Sequence, residues 1–223
     1  MVEILRGLNL YKEYKMGDSV SCVLNDVSLR VNEGEYLAIC GASGSGKSTL
    51  LNILGLIDLP TKGKVFWEGR DVSDYPDNRR TCLRNQKIGY VFQSFYLEPH
   101  YTSYQNVEMP LIIAGIPKKE RKERIEKALE TVGLSDRMKN KAGTLSGGEQ
   151  QRVCIARALV NQPSVILADE PCGNLDSDNT ESVLELFDRL HEEGKTIIMV
   201  THSREDALRA ERIISMRDGK IIQ

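Results

Sequence analysis

Residues 41–49 read GASGSGKST, set between two apolar runs, EYLAIC before it and STLLNIL after it. The stretch fits GxxxxGK[ST], a pattern that works only as a strand, a tight loop and a helix in that order. Small residues at Gly41, Ala42, Ser43, Gly44, Ser45 and Gly46 let backbone N–H groups converge on phosphate oxygens, and the helix N-terminus that follows favours negative charge. Lys47 would set a cation between the β- and γ-phosphates of one nucleotide held by residues 41–49. Ser48 would offer its hydroxyl to Mg²⁺, and Thr49 closes the cradle.

Strand and helix patterns alternate along the rest of the chain, which argues an α/β fold with a partly parallel, mixed sheet. Residues 1–40 read as strands: VLNDVSLRV alternates from Val23 to Val31, NEG is a turn, and EYLAIC runs straight into the phosphate loop. STLLNILGLI is apolar nearly all round, so its helix should be buried, and KVFWEGRDV reads as a hairpin. IGYVFQ, Ile88–Gln93, is a strand, and SFYLEPHYTSYQN, Ser94–Asn106, is an aromatic-rich loop. Residues 117–134 form an amphipathic helix with Ile125, Ala128, Leu129 and Val132 inward. Its mixed charges at i,i+4 spacing read as a solvated face.

The expected organisation is a core of residues 1–93 and 161–223, with an antiparallel β part at its N-terminus and a helical sub-domain inserted at about 94–160. SVILADE and KTIIMVTH are buried strands. The helix between them should start at a capping box of Asp178 and Glu181. A second capping box joins Ser203 and Asp206, and the chain closes as a hairpin turning at Asp218-Gly219.

Composition narrows the functions available. Thirty Lys and Arg against 32 Asp and Glu leave no basic excess, so no nucleic-acid partner is expected. The three histidines form no close cluster, and none of the five cysteines makes a CxxC, which points to reduced thiols rather than a metal site or disulfide framework. The N-terminal stretch is no signal peptide, and the longest apolar runs fall well short of the roughly 18 residues of a membrane span.

Further chemistry gathers at strand ends. VILADE closes with Asp169 and Glu170, where ligands of open α/β sheets bind. Asp169 would hold Mg²⁺ through water, and Glu170 would orient or deprotonate an attacking water. Taken alone, the pair reads equally well as helix-capping acids. Gln93 and His202 also follow strands, though each alone reads as easily as a surface or structural residue. A second glycine turn, LSGGEQQR, opens another helix at Leu145–Arg152. Its own chain already holds a nucleotide at 41–49, so the turn is either structural or serves the nucleotide of a second copy in a head-to-tail, two-fold pair.

Together these residues resemble the ATP-binding subunit of ABC transporters, along the whole chain. GASGSGKS looks like the Walker A motif, VILADE like the Walker B, and LSGGEQ like the family signature. Gln93 is similar to the Q-loop residue, His202 to the switch histidine and Asn174-Leu175-Asp176 to the D-loop. Tyr14 sits where the family stacks an aromatic ring on adenine, with Tyr11 a weaker match. The resemblance implies ATP and Mg²⁺, with Ser48, Gln93 and Asp169 on the metal side and Lys47, Gln93, Glu170 and His202 in catalysis. Ser146, Gly147, Gly148 and Asp176 would meet nucleotide across an ATP-sandwich homodimer.

The resemblance also implies an integral membrane permease as partner and a cytoplasmic location on the inner face of the plasma membrane; the aromatics of the Phe95–Tyr104 region (Phe95, Tyr96, Tyr101, Tyr104), linked to the γ-phosphate through Gln93, read equally well as its docking surface or as sub-domain core. YKMGD, NILGLID, NVEMPL and ADEPCGNLDS are similar to the branch of lipoprotein-release, macrolide-export and peptide-export ATPases, which implies export or extraction. The cell-division ATPase of that branch offers the alternative, mechanical signalling through a membrane partner without transport. Cys172 stands where the family usually has threonine.

Overall fold

The computed structural model describes residues 2–17 and 19–222. Met1 and Gln223, at the outer ends of the first and last expected strands, and Asp18 of the YKMGD stretch lie outside them.

β1 (Glu3–Met16) and β2 (Ser19–Asn32) pair antiparallel. With β4 (Lys62–Trp67) and β5 (Arg70–Asp71) they build a four-stranded sheet ordered β2-β1-β4-β5. A second sheet runs β10 (Lys220–Ile221), β9 (Arg212–Arg217), β3 (Tyr36–Cys40), β8 (Thr196–Thr201), β7 (Val165–Asp169) and β6 (Ile88–Val91). Its pairs are parallel except for the closing β9–β10 hairpin, which turns at Asp218 and Gly219. The α/β reading with a mixed sheet and an N-terminal antiparallel part is thus met.

The second sheet separates two apolar cores, and strand periodicity decides which residue joins which. Leu37 and Ile39 of β3, Val165 and Leu167 of β7, and Ile198 and Val200 of β8 face α1 (Lys47–Leu54) and the antiparallel sheet. Tyr36, Ile166, Ala168, Ile197 and Met199 face the other way, into a core shared with α3 (Ser103–Ile113), α4 (Lys118–Thr131), α5 (Gly147–Leu159) and α6 (Ser177–Glu192). Strands buried on both faces read as continuous apolar runs, as VILA and IIMV do. Ile125, Ala128, Leu129 and Val132 all turn into this core, as the helical pattern requires.

Four expectations need correction. The alternation of β2 is broken by a bulge: Asn9 and Asp26 both take positive φ (48° and 58°), and the Asn9 amide donates to Asp26 Oδ1 at 2.8 Å. The extra residue moves burial from Leu24 to Val27, Leu29 and Val31. The phosphate-loop helix stops at Leu54, where the Gly55 N–H closes on the Leu51 carbonyl and Leu56 turns to φ +58°. The aromatic loop ends at Thr102, not Asn106, because Thr102 and Gln105 form a capping box that starts α3 at Ser103.

The helix after VILADE is capped by Asp176, which accepts from the Asn179 N–H at 2.9 Å. It is not capped by Asp178. A further helix, α2 (Asp77–Lys87), has no buried residue and so leaves no apolar stripe in the sequence. The Ser203 cap is observed, its hydroxyl accepting from the Asp206 N–H as α7 (Arg204–Ala207) begins.

Candidate active site

The C-terminal ends of β3, β6, β7 and β8 deliver the site. After β3 the chain makes a loop that only glycine allows at two points. A Cβ on Gly41 would lie 2.2 Å from the Met216 carbonyl oxygen, and one on Gly46, at φ +98°, would lie 2.7 Å from that of Val23. Gly46 then starts α1 without a side-chain cap, so the first-turn N–H groups point out with no intrahelical acceptor.

Lys47 is 5% exposed, and its ammonium donates only to the Gly41 and Ala42 carbonyls, each at 2.9 Å. It forms no salt bridge among the described residues. Ser45 is equally buried and its hydroxyl has no partner. A buried cation facing neutral carbonyls, an orphaned hydroxyl and an uncapped helix start all call for an anion. The loop therefore fits a triphosphate.

Beside it, the Ser48 hydroxyl donates to Asp169 Oδ1 at 2.9 Å. Burial raises the Asp169 pKa, aided by the neighbouring Glu170 charge and opposed by the Ser48 bond and Lys47. The next residue, Glu170, sits at φ +45°, held by its N–H to the Val200 carbonyl at 2.8 Å. That turn sends the two carboxylates apart. Asp169 goes to Ser48, while Glu170 Oε2 meets His202 Nδ1 at 2.7 Å. Glu170 is largely covered and His202 is mostly exposed. No cluster of three or more His, Cys, Asp or Glu that could hold a metal occurs among the described residues. The Ser48–Asp169 pair instead suits Mg²⁺, which takes few protein oxygens and completes its shell with phosphate and water.

Gln93 lies two residues beyond β6. Its carbonyl accepts from Asn174 Nδ2 at 2.9 Å, and its amide nitrogen stands 3.0 Å from where a Gly173 Cβ would be. These contacts tie Gln93 to the segment after Glu170 rather than to Ser48.

The second glycine turn is built differently from the first. The Ser146 hydroxyl accepts from the Glu149 N–H, and Glu149 Oε2 accepts from the Ser146 N–H at 2.9 Å. Arg137 donates to the other Glu149 oxygen at 2.9 Å. This helix start caps itself and is no empty cradle, yet Ser146 is exposed and its O–H can still donate outward. Gly148 is buried. A Cβ there would lie 1.8 Å from Asn179 Oδ1, and the Asn179 amide is clamped by both Asp176 oxygens. Asp176, expected at the nucleotide, therefore caps α6 and props Asn179 behind the LSGGEQ turn.

Tyr14 is 40% exposed near the end of β1, its hydroxyl 2.8 Å from Asp58 Oδ2. The sequence reading passed over Asp58, the last residue of NILGLID. It also passed over Arg157, which donates to the Phe95 and Tyr96 carbonyls and ties the loop after Gln93 to α5. Neither carries a motif of its own; only an acid after an apolar helix and an arginine on a helix were visible. Of the four aromatics expected at a docking surface, Tyr96 and Tyr101 are exposed at 71% and 43%, while Tyr104 packs against the core.

Residues 24–173 match the family model described as ABC transporter. The lipoprotein-releasing system ATP-binding protein LolD of Aquifex aeolicus is 50% identical over 222 residues, covering 100% of this chain and 97% of that one. The macrolide export ATP-binding/permease protein MacB of Brucella melitensis is 47% identical over 98% of this chain, which spans 34% of that longer protein. Among solved structures, a dimeric form of the bacterial ABC transporter cassette MJ0796 superposes with a TM-score of 0.91 at 44% identity, covering 99% of this chain and 97% of that one. A post-hydrolysis dimer of MJ0796 holds ADP and Pi.

Proposed function

Because the chain belongs to the ABC transporter family as an ATP-binding, ATP-hydrolysing subunit, we propose that two copies sandwich two ATP molecules and drive a membrane permease in export or extraction. The observation that carries this reading is the split of adjacent carboxylates at the end of β7, Asp169 to Ser48 and Glu170 to His202, beside an uncapped phosphate loop. One carboxylate serves metal and phosphate, and the other serves water.

Lys47 and the loop N–H groups hold the phosphates. Ser48 and Asp169 would hold Mg²⁺, with Gln93 joining when the loop after β6 closes, and the ion would neutralise developing charge on the phosphoryl group. Glu170 takes the proton of the attacking water. His202 holds the Glu170 carboxylate in place and would stabilise the charge that develops on the γ-phosphate. Ser146 and Gly148 of the opposite copy complete each site, and Asp176 supports that contact through Asn179. We take residues 94–160 as the helical arm that carries the signature turn.

The membrane partner docks at a groove of about 370 Å³ lined by Ile57, Arg84, Tyr90, Phe92, Tyr96 and Ile113, among others. This moves the expected docking surface: of Phe95–Tyr104, only Tyr96 reaches the groove. No helix among the described residues is long and apolar enough to cross a membrane, so a peripheral position on the cytoplasmic face depends on that partner.

Glu170→Gln tests the reading. ATP binding should persist, phosphate release should fall by about 10² to 10⁴, and a nucleotide-bound dimer should accumulate on size exclusion. Phosphate release at the unaltered rate would remove Glu170 from its role.

A further inference from the structure

Asp58 stands in the loop that leaves α1, and its carboxylate gathers groups from two parts of the fold. Oδ1 accepts from Lys12 Nζ at 2.6 Å and from the Leu59 N–H at 2.7 Å, while Oδ2 accepts from the Tyr14 hydroxyl at 2.8 Å. Lys12 Nζ also donates to the Leu59 carbonyl at 2.7 Å. Lys12 and Tyr14 are two apart on β1, so both side chains leave the same face of the strand. The Lys12 ammonium lies over the Tyr14 ring, 4.9 Å from its centroid.

Burial and the Asp58 carboxylate raise the pKa of the Tyr14 hydroxyl, against a smaller opposing effect of Thr49, which lies in the first turn of α1 two residues from Lys47. The ring is thus tied by its polar edge to the loop that leaves the phosphate-loop helix, with a cation over one face. Burial works against the Asp58 charge, but the bonds from Lys12, Tyr14 and Leu59 outweigh it and hold its pKa below the usual carboxylate value. A plain surface ion pair would need none of this convergence on one tyrosine.

We propose that Asp58 is a positioning residue for nucleotide binding: with Lys12 it fixes the Tyr14 ring so that the ring face opposite Lys12 meets the base. The inference rests on Tyr14 as the base platform. A tyrosine left to sample its rotamers must be ordered when the base arrives, which weakens binding about twofold to tenfold. The ordering is already done in the free chain.

The test compares dissociation constants for ATP and for base-free ribose 5-triphosphate in the full chain and four variants: Tyr14→Ala, Tyr14→Phe, Asp58→Ala and the Tyr14→Phe/Asp58→Ala double. Tyr14→Phe keeps the exposed ring and loses only the hydroxyl, so it covers any folding defect of Asp58→Ala. Tyr14→Phe and Asp58→Ala should each weaken ATP about twofold to tenfold, and the double variant should lose no more than the worse single. Ribose 5-triphosphate affinity should stay level, and the ATPase loss should fall on KM rather than on kcat. Additive losses, or equal losses for both ligands, would overturn the role of Asp58. If Tyr14→Ala weakens ATP while Tyr14→Phe and Asp58→Ala do not, Tyr14 stands and Asp58 falls. If Tyr14→Ala leaves ATP binding intact, the platform itself is wrong.

Discussion

Gly147 and Gly148 are adjacent in sequence and answer to different neighbours. A methyl on Gly147 would meet Leu175 Cδ2 at an ordinary 3.7 Å, whereas one on Gly148 would fall 1.8 Å from Asn179 Oδ1. Asn179 cannot step aside cheaply, because Asp176 holds its amide and its backbone N–H. Gly148→Ala should therefore destabilise the chain by about 1–3 kcal/mol and distort the α6 cap. Gly147→Ala should be neutral or stabilise by up to about 1 kcal/mol through helix propensity. Urea midpoints of the two variants decide this, and equal midpoints would contradict the packing shown. The cysteines divide as sharply. Cys154 and Cys172 are buried, and burial pushes both thiols up to about 12, while Cys22 and Cys82 are exposed. A thiol reagent at pH 8 should modify Cys22 and Cys82 and reach Cys154 and Cys172 only after unfolding, as mass spectrometry of labelled peptides would show. The unusual Cys172 is then a packing residue of the native chain and no thiol sensor.

At the scale of elements, α5 gains its start from a pH-sensitive group. The Ser146 N–H and Arg137 hold the Glu149 pKa below the usual glutamate value, in that order of importance and against a smaller opposing effect of burial. A depressed folded pKa means the stabilisation is complete above the unfolded value and is lost as pH falls through the folded one. The first turn of α5 should thus exchange its amide protons faster, relative to the body of the helix, as pH drops below about 4.5. Glu149→Gln keeps an acceptor for the Ser146 N–H and should abolish the pH dependence. Ser146→Ala should cost about 1 kcal/mol at any pH. This cap was half-legible in the sequence: LSGGEQ reads as either a structural turn or one that serves a second copy's nucleotide, while its serine-to-glutamate spacing, which closes the cap, is the sign that it is structural at least in part. Buried strands and the α4 face were legible because their periodicity is set by burial. α2 was not, since it buries nothing, and the Asp178 cap was misplaced because Asp176 and Asp178 are both chemically suitable. The positions of Asp169, Glu170 and His202 were legible because each stands at the end of a buried strand, and their proposed roles rest on that placement. The bonds that orient the site, Glu170 to His202 and Asn174 to Gln93, join residues 32 and 81 positions apart, which no local pattern reports.

At the scale of the whole molecule, the chain owns two glycine turns with opposite needs. The loop at 41–49 has an unpaired buried cation and wants an anion; the turn at 145–150 has satisfied its own backbone and has one outward hydroxyl to give. If the outward hydroxyl serves the loop of another copy, two defects placed on different chains should complement. In Ser146→Arg homodimers both sites lack the signature contact, and in Lys47→Ala homodimers both lack the phosphate cation. A mixed dimer keeps one site intact, with Lys47 from the first chain and Ser146 from the second, while its other site carries both defects. Random mixing makes about half of the dimers mixed, each with one working site of two, so about a quarter of the unmodified rate should return. Phosphate release by each variant alone and by the 1:1 mixture reads this directly. A second readout covers the case in which turnover needs both sites at once. In a Glu170→Gln background ATP should bring chains together on size exclusion, and adding Ser146→Arg to every chain should abolish that shift. Dimers that still form with ATP when no intact Ser146 is present would show that the turn serves its own chain, and that the capping box is its whole purpose.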